Sequence, residues 1–478
     1  MEKFFTILFF FIAFESNFAA QVFPYLQSPS PSSIYICWQT TEDLESTLFY
    51  GNTPSMGNTI VGETEVLANR TIWHVVKLDN LTANTVYYYQ IKTAEAESDV
   101  YHFKTPPPFG SHEGHVRFGV LGDSRTVPTM YRQVIKAMKE KMIELYGEDI
   151  ENNINVILNV GDIITTGGTL DQYQREYFDP ITPLSGTVPF MVSIGNHENE
   201  DPFYYQYMKY EDFGGAEGEK YYSFQIGRVL FIGINSNWQL RNDTQISWLN
   251  NVLQAAQANN SIDWIFAYCH HPGHSEVWPD GNTGYIQDRV IPTLSKYSKA
   301  AFLMYGHSHN YERGAIRDLP LRLMLNGGGG AGLDRWRRYG NQRDYPEIQK
   351  SFDHYCYSIF DIDLANKNYV VQTFSLGTPD KRLNNVKIDS FYRKLENFTP
   401  PEKPEAIAVN DSVKLPFTLK ASNYSGSEPI LSSHFQLTTS SADYNEPLVD
   451  SKRDFENIYL DTGPPDYQPI DKNAGINL

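Results

Sequence analysis

Val116-Arg-Phe-Gly-Val-Leu-Gly-Asp-Ser-Arg125 is the stretch that decides the fold. A short, mostly apolar run of strand length ends directly in Gly122-Asp123, so a buried strand hands a carboxylate to its own tip. The same device recurs down the chain. Residues 154–160 lead to Gly161-Asp162, and residues 189–194 lead to Gly195-Asn196-His197-Glu198. Residues 263–268 lead to Cys269-His270-His271-Pro272, and residues 301–305 to Gly306-His307-Ser308-His309. Residues 127–146 and 245–258 keep the apolar spacing of helices between these runs. The alternation predicts an α/β or α+β domain, in which ligands gather at strand ends.

The flanks read differently. Residues 21–106 predict an all-β unit, with Ile34, Ile36 and Trp38 on one face of an alternating strand. Leu81 precedes Tyr87 by six residues, the spacing of a sandwich corner tyrosine. Thr105-Pro106-Pro107-Pro108 then makes a stiff linker, placing the main domain at residues 112–395. Residues 400–478, rich in Ser, Thr, Asn and Asp, predict a small β domain or extension. At the start, Lys3, an apolar run over residues 4–14 and small residues up to Ala20 describe a secretory signal peptide over residues 1–20. That run is too short for a bilayer span, which takes about 20 residues.

Composition narrows the chemistry. The 478 residues carry 39 Lys+Arg against 57 Asp+Glu, a formal charge of −18 that repels a nucleic-acid backbone. Neither nucleic acid nor membrane is therefore expected as a partner. Cys37, Cys269 and Cys356 include no CxxC pair, which excludes a thiolate zinc site and a disulfide framework. Hard oxygen and imidazole ligands remain, a donor set for Fe, Mn or Zn. A single Gly-Asp is usually a turn and a single His usually a packed side chain, but five such tips in order point to one site. Two Asp, one Asn and three His can hold two metals if one carboxylate bridges. Such a pair, about 3.5–4 Å apart, clamps a phosphoryl group and lowers the pKa of a bound water.

The ordered set Gly-Asp, Gly-Asp, Gly-Asn-His-Glu, His-His-Pro and Gly-His-Ser-His resembles the calcineurin-like metallophosphoesterases. With Gly306-His-Ser-His-Asn-Tyr-Glu-Arg313 and the β unit in front, it is most similar to the purple acid phosphatase branch. The resemblance runs from residue 21 to about residue 380. It implies a fibronectin type III-like β-sandwich, then an αββα sandwich with its site at the strand tips; with the small β-rich region expected from composition after it, the chain is of the α+β class. It also implies hydrolysis of phosphate esters; with the signal peptide, the favoured expectation is a secreted phosphatase hydrolysing small phosphate monoesters through two metal ions and metal-bound hydroxide. A phosphodiesterase or nucleotidase on the same site, or a non-catalytic surface binding protein, are the other readings. Residue by residue, the resemblance implies Asp123 and His309 on the first metal, Asn196, His270 and His307 on the second, and Asp162 bridging. His197 would be the non-ligand acid that protonates the leaving group.

Two departures fall on the first metal. Purple acid phosphatases have a colour-giving Tyr three residues after the bridging Asp, where this chain has Thr165. Other metallophosphoesterases have a His two residues after the first Asp, where this chain has Arg125. Arg125 reads either as a grip on substrate phosphate or as a strand-end ion pair. His274 reads as a second phosphate contact, and His271 as structural. The run at residues 327–332, Gly-Gly-Gly-Gly-Ala-Gly, lacks the Lys of a phosphate loop and predicts tight backbone packing near the site.

Overall fold

A computed structural model describes residues 20–41, 46–67, 71–92, 97–215, 217–316, 321–343, 345, 347–396, 402–407, 414–426, 432–440, 444–454 and 474–478. Of the signal-peptide segment only Ala20 is among them; the rest lies outside the described residues.

The N-terminal unit is a sandwich of two four-stranded antiparallel sheets. One holds Ala20–Gln27, Ile34–Thr40, Ile72–Leu78 and Glu63–Val66, in that order. The other holds Asn58–Val61, Thr47–Gly51, Val86–Lys92 and Tyr101–Lys104. Side chains alternate along a strand, and here that sorts residues between two cores. Ile34, Ile36 and Trp38 pack inside the sandwich with Leu48, Val76, Tyr89 and Ile91. Tyr35 and Cys37 point the other way, yet they are buried too, in the core of the domain that follows. Every residue of Ile34–Thr40 is consequently buried, although the pattern alone accounts for one face. Hydrogen bonds cross the same seam: Tyr25 Oη donates to the Tyr207 carbonyl (3.0 Å) and Tyr89 Oη to the Gly186 carbonyl (2.8 Å). The corner closes as Tyr87 Oη accepts from the Thr82 amide at 2.9 Å.

The second unit is four layers deep. A six-stranded sheet runs Phe190–Val192, Val156–Asn159, His115–Leu121, Tyr355–Asp363, Asn368–Gly377, Arg382–Lys394. An eight-stranded sheet has a parallel centre of Val229–Gly233, Trp264–Tyr268, Ala300–Tyr305 and Arg322–Asn326. Phe118 is pinned between them, stacked on Phe360 (4.4 Å) and edge-on to Phe231 (5.0 Å) and Phe266 (5.3 Å). Helix Pro128–Tyr146 covers the outside of the first sheet, where Gly119 leaves room for Met138 and Met142. Helix Asp243–Ala258 covers the second, burying Leu249 and Leu253 with Ile232 and Ile265. Its N-cap is Asn242, whose Oδ1 accepts from the Gln245 amide at 2.9 Å, a bond worth about 1 kcal/mol.

Past residue 400 the described residues form two small ribbons, Thr418–Leu419 with Ile476–Asn477 and Ser432–Leu437 with Val449–Asp454. None of those described residues enters a hydrophobic core. Among the described residues no helix is long and apolar enough to cross a membrane.

Candidate metal centre

The expected ligands meet where the two sheets' strand tips face each other. Asp123, Asp162 and Asn196 follow strands of the six-stranded sheet, and His270, His307 and His309 follow strands of the eight-stranded one. Asp123 (φ 56°), Asp162 (φ 56°) and His307 (φ 74°) adopt left-handed backbone conformations. Asp and His enter this region more often than most residues, and non-glycine residues held there collect at functional sites. The glycine before a tip residue makes room for a different one. A Cβ on Gly195 would stand 2.2 Å from Asp162 Oδ1, and one on Gly306 would stand 2.2 Å from Asp123 Oδ2. The glycine-rich run packs as expected: the Gly329 amide donates to the Gly122 carbonyl and the Ala331 amide to the Asp123 carbonyl, both at 2.9 Å.

One cluster holds Asp162, Asn196, His270 and His307. His270 Nδ1 donates to the Val160 carbonyl at 2.9 Å, so in the neutral ring Nε2 is a lone pair. That lone pair faces Asp162 Oδ1 at 3.2 Å, Asn196 Oδ1 at 3.0 Å and His307 Nδ1 at 3.1 Å. Acceptors brought this close in a buried place call for a cation among them. Without one, a proton answers the call: burial opposes charging His270, but Asp162 pushes its pKa up to about 9. Burial and the neighbouring His270 hold His307 well below the usual imidazole range, in the neutral form that ligates. The donor set fits a divalent metal with mixed oxygen and nitrogen ligands.

The other cluster, Asp123, Asp162 and His309, fits only in part. Its ligand atoms lie within 4.8 Å of one another, and Asp123 Oδ1 is buried with no hydrogen-bond partner. But Arg125 has entered it: Nε donates to Asp162 Oδ2 at 3.2 Å, and Nη2 lies 3.3 Å from His309 Nε2. Arg125 thus forms an ion pair with Asp162.

His197 Nδ1 donates to the Thr165 carbonyl, and Nε2 lies 3.8 Å from Asp162 Oδ2. Beside it opens a cleft of about 440 Å³, lined by residues 165–168, 196–199 and Asp201. Thr165 does not turn toward a metal; its hydroxyl donates to Glu176 at 2.7 Å. Tyr173 gives its hydroxyl to Asp201. His274 is not brought to the clusters by any bond: its carbonyl accepts from Tyr305 and its ring meets Tyr345 at 5.8 Å. His271 is buried, bonded to Ser236 Oγ at 2.9 Å.

Glu198, which closes the Gly-Asn-His-Glu motif, has a role that the motif does not announce. It is fully buried and accepts the backbone amides of Asp162, Ile163, Ile164 and Gly195 at 2.7–3.2 Å, stapling two tips together. Burial and then the Asp162 charge push it up to about 7, against the pull of those amides. The signal was an acid directly after a tip, where a solvent-facing side chain is the ordinary case.

Residues 116–311 match the family model described as calcineurin-like phosphoesterase, and residues 19–105 that of the purple acid phosphatase N-terminal domain. The chain is 26% identical over 257 residues to purple acid phosphatase 18 of Arabidopsis thaliana, covering 50% of this chain and 52% of that protein. It is 24% identical over 309 residues to an Arabidopsis thaliana protein named "Probable inactive purple acid phosphatase 1", covering 54% and 49%. It is 25% identical over 333 residues to an uncharacterized protein of Mycobacterium tuberculosis, covering 62% and 61%. The chain thus spans about half to three fifths of the length of these relatives. A purple acid phosphatase from yellow lupin (Lupinus luteus) seeds superposes with a TM-score of 0.61 at 18% identity, covering 78% of this chain and 74% of that one. PhoD superposes with a TM-score of 0.59 at 15% identity, covering 80% and 94%. Both likenesses show the fold.

Proposed function

We propose, for a chain that joins a purple acid phosphatase N-terminal domain to a calcineurin-like metallophosphoesterase domain, that it is a metal-dependent phosphatase hydrolysing small phosphate monoesters. The observation that carries this is the convergence of His270 Nε2, Asp162 Oδ1, Asn196 Oδ1 and His307 Nδ1, at 3.0–3.2 Å from His270 Nε2, beside an open cleft. Asp162, Asn196, His270 and His307 would hold the ion, one of Fe, Mn or Zn; Asp123 and His309 offer a second position shared with Asp162. A bound metal supplies Lewis acidity toward the phosphoryl oxygens and an activated water. The chain supplies the rest. His197, anchored through Nδ1 to Thr165, carries on Nε2 the proton that the leaving oxygen needs. Glu198 holds the backbone of two tips so that Asp162 and Asn196 keep their spacing.

The N-terminal sandwich, with its 4+4 strands and Tyr87 corner, supports a fibronectin type III-like assignment and the division at the Pro106 linker. The apolar run over residues 4–14 supports export. A non-catalytic binding role is favoured by one observation, Arg125 lodged in the first cluster.

One experiment separates these. Metal-loaded protein is assayed on p-nitrophenyl phosphate and on bis-p-nitrophenyl phosphate, beside Asp162→Ala and His307→Ala. The phosphatase reading expects monoester turnover above diester turnover, with a loss of roughly a thousandfold or more in both variants. Near-wild-type activity in both variants overturns the site. Metal bound without turnover on either ester selects the binding role.

A further inference from the structure

Arg125 leaves the tip two residues after Asp123 and turns its guanidinium in among the first cluster's acceptors. Nε donates to Asp162 Oδ2 at 3.2 Å, and Nη2 stands 3.3 Å from His309 Nε2. The direction of that second contact follows from the other side of the ring. His309 Nδ1 donates to the Gly332 carbonyl at 2.7 Å, so Nε2 is a lone pair and the guanidinium must be its donor. An ion shared by Asp123, Asp162 and His309 would need the one lone pair of His309 Nε2, which cannot serve both, and would meet a guanidinium already on Asp162 Oδ2. The cluster around His270 has no such guest: among the described residues, His270 Nε2 meets Asp162, Asn196 and His307, and no guanidinium or ammonium is bonded to it. A guanidinium is a permanent cation with a planar fork of donors, suited to occupying a carboxylate-imidazole pair and unable to leave as an ion does. Its side chain is held at 18% exposure over an Asp162 that is 1% exposed.

We propose that Arg125 occupies the first metal position as a built-in cation, so that the chain retains one metal ion where its fold offers places for two. This rests on the metal reading of the His270 cluster given above. The guanidinium brings one positive charge and N–H donors to that side of the site. It brings no open coordination position and cannot activate a water. Asp123 Oδ1, which it does not reach, is the one ligand atom of that cluster left bare.

The test counts ions, independently of turnover. Chelator-stripped protein is loaded with Zn²⁺, gel-filtered and analysed for metal. Wild type is expected to keep one equivalent and Arg125→His, which exchanges the cation for a neutral nitrogen ligand, two. Arg125→Lys, which keeps a positive charge, is expected to stay at one. Loaded with Mn²⁺, wild type is expected to show the electron paramagnetic resonance spectrum of an isolated ion, and Arg125→His that of an exchange-coupled pair. If the histidine variant does not fold, the near-isosteric Arg125→Gln is read the same way, as a rise above one equivalent. Two equivalents in wild type, or one in a folded neutral variant, overturns the role of Arg125 and leaves the metal centre standing. No metal in any of the proteins overturns the metal centre itself, and the inference with it.

Discussion

One of the two imidazole nitrogens of His197 is already engaged, since Nδ1 donates to the Thr165 carbonyl and only Nε2 is left to meet a substrate. That division of labour gives a leaving-group signature. His197→Asn is expected to leave metal content unchanged and to lower the rate by roughly 10²–10⁴ on an alkyl phosphate, the usual worth of a positioned acid. On p-nitrophenyl phosphate the loss is expected to be much smaller, because nitrophenolate departs without a proton. Steady-state rates on both esters, with metal analysis, check it; equal losses would make His197 a phosphate-positioning group. The identity of this residue was legible from Gly-Asn-His-Glu alone, whereas its tautomer was not, because a carbonyl 32 residues away in the chain sets it. Arg125 is the sharper case. Its charge and its place beside Asp123 are plain in the sequence, but the choice between phosphate grip and ion pair depends on where Asp162 and His309 come to rest.

The strand tip is the next scale up, and there the glycines decide. Gly195 lets Asp162 Oδ1 pass through the space its own Cβ would take, at 2.2 Å. Gly195→Ala is therefore expected to push the carboxylate aside by about an ångström, to weaken metal retention and to cost roughly a hundredfold in rate. Equilibrium dialysis against Zn²⁺ and an ester assay read both effects. The tips, their order and an α/β or α+β alternation could be read from apolar runs ending in Asp, Asn or His, since strand length and tip chemistry are local properties; the four-layered sandwich was implied only by the family resemblance. The second burial of Tyr35 and Cys37 could not, because a two-residue period says which side chains share a face and not what covers the other one. Glu198 was hidden for a like reason: its partners are backbone amides of tips that only the folded sheets bring together. Arg313, at the end of the motif that opens with Gly306, is 2% exposed and pairs with Asp389.

At the scale of the molecule that pair ties one sheet to the other. Asp389, on Arg382–Lys394 of the six-stranded sheet, accepts from Arg313, from Tyr311 (2.7 Å) and from Lys350 (3.0 Å), all on strands of the eight-stranded sheet. Burial would raise its pKa, yet Arg313 and Lys350 hold it well below the carboxylate range. The folded value lies below the unfolded one, so the stabilisation is complete above about pH 4 and is lost as the pH falls through the folded value. Asp389→Asn is expected to cost about 3–5 kcal/mol at neutral pH, the price of stranding a buried charge. Urea unfolding at pH 7 and pH 3 checks it, and the gap between variant and wild type is expected to narrow at the lower pH. The same sheet also sets a timetable. Its strand His115–Leu121, which leads to Asp123, pairs on one side with Val156–Asn159 and on the other with Tyr355–Asp363, some 240 residues further along. A ribosome adds about 5–20 residues per second, so that second edge waits on the order of ten to fifty seconds for its partner. Through that interval the nascent chain presents an unpaired apolar strand edge, the form in which sheets invite the wrong neighbour. The strand that leads to Asp123 at the candidate metal centre therefore gains its second neighbour late in synthesis.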